Sequence, residues 1–150
     1  MSLTLSRELY NQLRAHGEET YPHECCGIML GKSSAGGPGE DSGLEVKQLL
    51  RAGNTRTDSL HNRYNIAPQE LIAAQRQGRK SGLDIVGFYH SHPDHPAMWS
   101  STDFAEAHWF GCAYVITAVE KGVAQITNSF LLTGTTEEDK AFTNQSIEIT

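Results

Sequence analysis

Residues Asp84 to His90 (DIVGFYH) form the run that most limits what this chain can become. β-branched and aromatic residues crowd a short apolar stretch, and Pro93, with no N–H to give to a ladder, closes it. Helical patterns lie on both sides. Pro68 suits the first turn of a helix reaching about Lys80, with Leu71, Ile72 and Gln75 along one side and Gly82 at its end. A further helix is expected over Ser100 to Phe110. A buried strand between two helices places the chain in the α/β class.

The other segments extend the same pattern. Leu5, Leu9 and Leu13 recur every four residues, which predicts an amphipathic helix over Ser6 to Glu19, with Ser6 as N-cap and Pro22 as the stop. Cys26 to Gly31 reads as a buried strand and Leu44 to Leu50 as its return in a hairpin. Between them Lys32 to Gly43 carries five Gly or Pro and three Ser in twelve residues, the composition of a surface loop. Tyr64 to Ile66 is a short strand candidate. Ala113 to Val119 and Ala124 to Leu132 are strands joined by a turn at Glu120-Lys121-Gly122. After the acidic Glu137-Glu138-Asp139, Ile147 to Ile149 forms a last short strand. The expected architecture is a mixed sheet of about six strands flanked by helices. A length of 150 residues fits one domain spanning 1–150.

Charge and cysteines exclude several classes of function. Twelve Lys and Arg against 18 Asp and Glu give a net charge of −6, and no basic run offers a face to nucleic acid. No apolar stretch is long enough to span a bilayer, and the N-terminus lacks a secretory h-region. Cys25, Cys26 and Cys112 are odd in number and two are adjacent, a poor disulfide framework. They read as reduced thiols of a cytoplasmic protein.

The chemistry concentrates in His90-Ser-His-Pro-Asp-His-Pro-Ala-Met-Trp-Ser-Ser-Thr-Asp103. His90 and His92, two apart at a strand end, project to the same side and suit two ligands of one ion. Asp103, eleven positions on, falls in the first turn of the next helix and offers a carboxylate as third ligand. Two histidines and a carboxylate leave one tetrahedral position open, as in catalytic rather than structural zinc sites. Zinc, iron and manganese all accept such a set. Each part also has a plainer reading. A lone H-x-H is often a satisfied strand end, and Ser100-x-x-Asp103 alone is a helix cap. His95, held between Pro93 and Pro96, is expected to face solvent.

Glu24, in Tyr21-Pro-His-Glu-Cys-Cys-Gly27, enters an apolar strand. It is a candidate general base, with a solvated loop glutamate as the alternative. Cys25 and Cys26 point to opposite faces if the strand is regular, so they read as core thiols rather than paired ligands.

Taken together, His90-Ser-His92-Pro93, six residues, Ser100, two residues and Asp103 resemble the signature of the JAMM (MPN-plus) metalloproteases. Glu24 before Cys-Cys-Gly, the stretch Arg63 to Pro68 and the lead-in Gly87-Phe88-Tyr89 are similar to that family as well. The resemblance covers roughly Leu3 to Ile149. It implies a cytidine-deaminase-like fold, with zinc held by His90, His92 and Asp103. Glu24 would be the general base and Ser100 the residue that helps to stabilise an oxyanion. It further implies hydrolysis after the C-terminal Gly-Gly of a small ubiquitin-like sulfur carrier, for example releasing cysteine, as in bacterial single-domain members. Two other readings are a non-catalytic scaffold of the same fold and a cell-wall or phage-tail peptidase.

Overall fold

The computed structural model describes residues 2–34, 43–53 and 66–150. In chain order the elements are β1 (Ser2–Leu5), α1 (Arg7–Thr20), β2 (Cys26–Ser34), β3 (Gly43–Ala52), α2 (Pro68–Ser81), β4 (Asp84–Pro93), α3 (Ser101–Ala105), β5 (Ala113–Glu120), β6 (Val123–Thr133) and β7 (Ala141–Ile149). Most of the proposed loop after Lys32, and Tyr64 and Asn65 of the proposed strand, lie outside the described residues.

The strands form one mixed sheet in the order β1-β3-β2-β4-β5-β6-β7, which closes as a barrel through parallel pairing of β1 with β7. The expected α/β class holds, with seven strands among the described residues rather than about six. The additional strand is β1. Its four residues, Ser-Leu-Thr-Leu, are too few to register as a pattern, and Leu5 also fits the helical stripe of Leu9 and Leu13. In the structure Leu3 and Leu5 are core residues of the strand. The buried positions of α1 are instead Leu13, His16 and Gly17, and Ser6 caps the helix by accepting from Leu9 N–H at 3.1 Å.

The central strands are apolar on both faces. Leu3, Leu5, Leu13, Met29, Tyr89 and Val115 pack together in one core, with Leu9 and Tyr10 of α1 against it. Ile28, Leu30, Ala74, Phe88, Tyr114 and Leu132 fill the other, with α2 over it. Alternation along β2 and β5 distributes neighbours between the two, as expected for strands covered on both sides. α2 begins at Pro68 and ends at Gly82 in the left-handed region (φ 68°). Its inward face is Leu71, Ala74 and Gly78. Ile72 and Gln75 face solvent, so the expected stripe is rotated. Gly78 sits there because a Cβ would lie 2.5 Å from Leu83 O. Among the described residues no helix is long and apolar enough to cross a membrane.

Three boundaries differ from the sequence-based expectation. β2 runs on to Ser34, three residues into the expected loop. α3 stops at Ala105 instead of continuing to Phe110. The Lys140 ammonium takes the Phe104 and Ala107 carbonyls at 2.8 and 3.1 Å, and the chain turns towards β5. β7 starts at Ala141, six residues before Ile147, because its first half alternates polar residues on an exposed face and lacks an apolar signature.

Candidate metal centre

β4 determines where the site forms. Its neighbours β2 and β5 pair with it along most of its length, and it ends at Pro93 beside Val119. Successive side chains alternate. Tyr89 and Ser91 face α1, where Gly17 allows close approach: a Cβ there would meet Ser91 Cβ at 3.2 Å. His90 and His92 face the opposite side, beneath α3. Cys26 is in register with His90 on the antiparallel pair β2/β4. Two residues further out on each strand, Glu24 therefore comes opposite His92, on the same face.

Four of the expected site residues meet there. His90 Nε2 lies 3.2 Å from His92 Nε2. The Asp103 carboxylate completes a triangle, with Oδ1 3.3 Å from His90 Nε2 and Oδ2 3.1 Å from His92 Nε2. Bonds of about 2.0–2.1 Å at the tetrahedral angle separate two ligand atoms by about 3.3–3.4 Å. The observed separations are close to that spacing, with each histidine meeting a different Asp103 oxygen. Ligand atoms of Glu24, His90 and His92 all lie within 4.8 Å of one another. Both Glu24 carboxylate oxygens are buried without a hydrogen-bond partner among the described residues. An unpaired buried carboxylate is costly unless a ligand satisfies it, so the donor set fits a divalent cation with Glu24 beside it.

The orientation of each group is fixed by its neighbours. His92 Nδ1 meets Pro96 O at 2.8 Å, which turns Nε2 towards the cluster. Ser100 N–H donates to Asp103 Oδ2 at 2.9 Å, and Asp103 N–H donates to Ser100 Oγ at 3.0 Å. Ser100 therefore forms the capping box with Asp103, which is its plainer sequence reading. It also stands directly beside the candidate ligand. On the α1 side Ser91 Oγ accepts Cys25 N–H at 2.9 Å and joins the Glu24 segment to β4.

Electrostatics follow burial. Glu24, 3% exposed, has its pKa pushed up to about 8 by desolvation, with Asp103 adding to the rise and His92 opposing it. Burial alone would raise the Asp103 carboxyl, but His90, His92 and the Ser100 N–H hold it well below the usual carboxylate range. Desolvation lowers the His90 pKa; at His92 burial also pulls down most strongly, but the hydrogen bond and charge of Asp103, the Pro96 carbonyl and the Glu24 charge together raise it.

The remaining candidates stand apart from the cluster. Cys25, Cys26 and Cys112 are buried free thiols. Burial pushes Cys25 up to about 11 and Cys112 up to about 12, leaving them protonated and inert at neutral pH. His95 is exposed in a groove of about 880 Å³ that begins at Pro96 and is lined by Ala97, Met98, Ala118 and Ile126. Two supports of the site carry no sequence signature. Asp94, in the left-handed region (φ 56°), accepts Tyr21 O–H at 2.6 Å and Lys121 N–H at 2.8 Å. Lys140 grips the end of α3.

A mixed barrel-like sheet that sets two histidines of one strand against an aspartate and a buried glutamate is the framework of JAMM-type domains. Residues 6–132 match the family described as prokaryotic homologs of the JAB domain, and the chain belongs to that family. It is 29% identical over 118 residues to the desampylase of Haloferax volcanii, covering 76% of this chain and 78% of that protein. It is 30% identical over 107 residues to a probable TtuB-protein conjugate cleaving protease of Thermus thermophilus, covering 71% of this chain but 64% of that relative. A solution structure of a Salinibacter ruber protein superposes with a TM-score of 0.71 at 34% identity, over 100% of this chain and 92% of the other.

Proposed function

We propose that the chain is a zinc-dependent peptidase that hydrolyses the amide bond after the C-terminal Gly-Gly of a small ubiquitin-like sulfur carrier, such as one bearing cysteine. The observation that carries this reading is the triangle of His90, His92 and Asp103 with the unpartnered Glu24 carboxylate beside it. Similarity to a desampylase and to a conjugate-cleaving protease supports the substrate class. Three unpaired thiols suit a reducing compartment, the cytoplasm.

In this reading His90, His92 and Asp103 hold the ion. A bound zinc supplies Lewis acidity, polarising the carbonyl and making water acidic enough to attack at neutral pH. Glu24 takes the proton of the attacking water and delivers it to the amine as the C–N bond breaks. Both Glu24 carboxylate oxygens are without a hydrogen-bond partner among the described residues, so either can serve in that exchange. The Ser100 hydroxyl accepts from Asp103 N–H and keeps its own proton for the carbonyl oxygen as negative charge develops. Pro96, whose carbonyl meets His92 Nδ1, also lines the groove, which offers apolar wall to a polypeptide.

The test is intact-mass analysis of a ubiquitin-like carrier bearing one residue after Gly-Gly, incubated with zinc-loaded protein and with Glu24→Gln. Cleavage after the last glycine by the wild type alone supports both the activity and the base. A zinc-bound wild type that leaves two different carriers intact would favour a scaffold.

A further inference from the structure

α3 is five residues long and carries Asp103 at its third position. A helix this short has no cooperative stability of its own, so its place must be set from outside. Its N-terminal end is closed by Ser100, but that capping box is internal to the segment and does not tie it to the sheet. The C-terminal end is held by Lys140, the residue immediately before β7. The Lys140 side chain, 3% exposed, donates from Nζ to Phe104 O at 2.8 Å and Ala107 O at 3.1 Å, with Ala105 O at 3.5 Å. Glu137 pairs with it at 2.9 Å, and the ammonium lies 4.7 Å from the Phe104 ring centroid. Phe142, the second residue of β7, packs on Phe104 and Trp99 with both centroid distances 5.5 Å.

A desolvated lysine is expensive unless carbonyls and a carboxylate surround it, and here they do. A cation at the last turn also complements the helix dipole. Its three carbonyl partners belong to the segment that follows Asp103 directly.

We propose that Lys140 is a positioning residue that holds α3 on β7 and thereby fixes the Asp103 carboxylate against His90 and His92. The inference rests on reading that triangle as a metal centre. Lys140 touches neither the ion nor substrate in this role. It acts through the one to four residues of backbone that separate these carbonyls from Asp103, about one turn at most.

The experiment compares the wild type, Lys140→Met and Lys140→Arg by zinc titration against a chromophoric chelator. Amide hydrogen exchange of the metal-free proteins is measured alongside. Met keeps the length and apolar stem, whereas Arg restores a cation for the carbonyls. Lys140→Met is expected to weaken zinc binding about tenfold, the low end for a residue supporting a ligand. Exchange at the Asp103, Phe104 and Glu106 amides should rise while β2, β4 and β5 keep theirs, and Lys140→Arg should bind zinc close to the wild type. Lys140→Met with unchanged zinc affinity, whether or not exchange rises, would overturn the proposal. Failure of the wild type itself to bind zinc would sink the metal-centre reading instead. Exchange at Asp103 and Phe104 would then decide alone whether Lys140 holds this segment, with unchanged protection counting against it.

Discussion

Ser100 and Asp103 cap one another, and the Asp103 oxygen that accepts Ser100 N–H also lies 3.1 Å from His92 Nε2. The helix cap and the candidate ligand are therefore one carboxylate. Ser100→Ala separates the two parts Ser100 plays. Loss of the cap is expected to cost about 1 kcal/mol of stability, read from urea unfolding. Loss of the hydroxyl beside the reacting carbonyl is expected to lower turnover about 10²–10³-fold. An alanine variant that loses stability but keeps its turnover would leave Ser100 as a cap only.

Glu24→Gln removes the base without changing shape. Zinc content after dialysis should match the wild type, while carrier cleavage is lost. The same variant has a signature without metal. Glu24 titrates at about 8 when folded, against 4.5 as the ordinary value. Its folded pKa is raised, so its contribution to stability is complete below 4.5 and declines as pH rises through 8. In chelator the thermal midpoint of the wild type should therefore fall relative to that of Glu24→Gln as pH rises across this window. Parallel curves would mean that Glu24 is already ionised in the folded protein.

Much of this site is legible in sequence because its parts are local. His90 and His92 share a face by strand alternation, and Ser100-x-x-Asp103 announces a helix start. What joins them is not local. Glu24 reaches His92 only through the Cys26–His90 register, a pairing across more than sixty residues that no periodicity reports. Lys140 reads as an ordinary surface lysine until β7 is seen to pass behind α3. Barrel closure is hidden for the same reason. It depends on four residues of β1, of which Leu5 also fits a helical stripe, and on β7, half of which is polar.

Gly27 exposes how tightly the sheet behind the site is packed. A Cβ at this position would meet the Tyr89 ring at 2.1–2.4 Å. Tyr89 is 2% exposed and tied by its hydroxyl to His16 Nδ1 at 2.8 Å, so its ring has nowhere to go. Gly27→Ala is expected to cost about 1–3 kcal/mol, as overpacking does. The neighbouring His90 should shift with Tyr89 and zinc affinity should drop. Gly82→Ala meets open space and pays only for its left-handed backbone. Its cost should stay near 1 kcal/mol with zinc affinity intact. Equal effects of both variants on zinc would remove Tyr89 from the support of the site.

His16 makes acid sensitivity a property of the fold rather than of the metal centre. It lies 6% exposed in α1 against Tyr89, and burial lowers its pKa from 6.5 to about 4, with Arg51 adding to the fall and Glu19 opposing it. The folded value is depressed, so the stabilisation is whole above 6.5 and is lost as pH falls towards 4, where the unfolded chain binds the proton first. One such group changes stability by at most about 1.4 kcal/mol per pH unit within that window. His16→Gln offers Tyr89 a polar partner and cannot titrate. Between pH 6.5 and 4 the stability of metal-free wild type should therefore drop more steeply than that of His16→Gln, with the two slopes merging above pH 7. Identical slopes below 6.5 would show that His16 is protonated in the folded protein and that the Tyr89 contact does not hold it neutral.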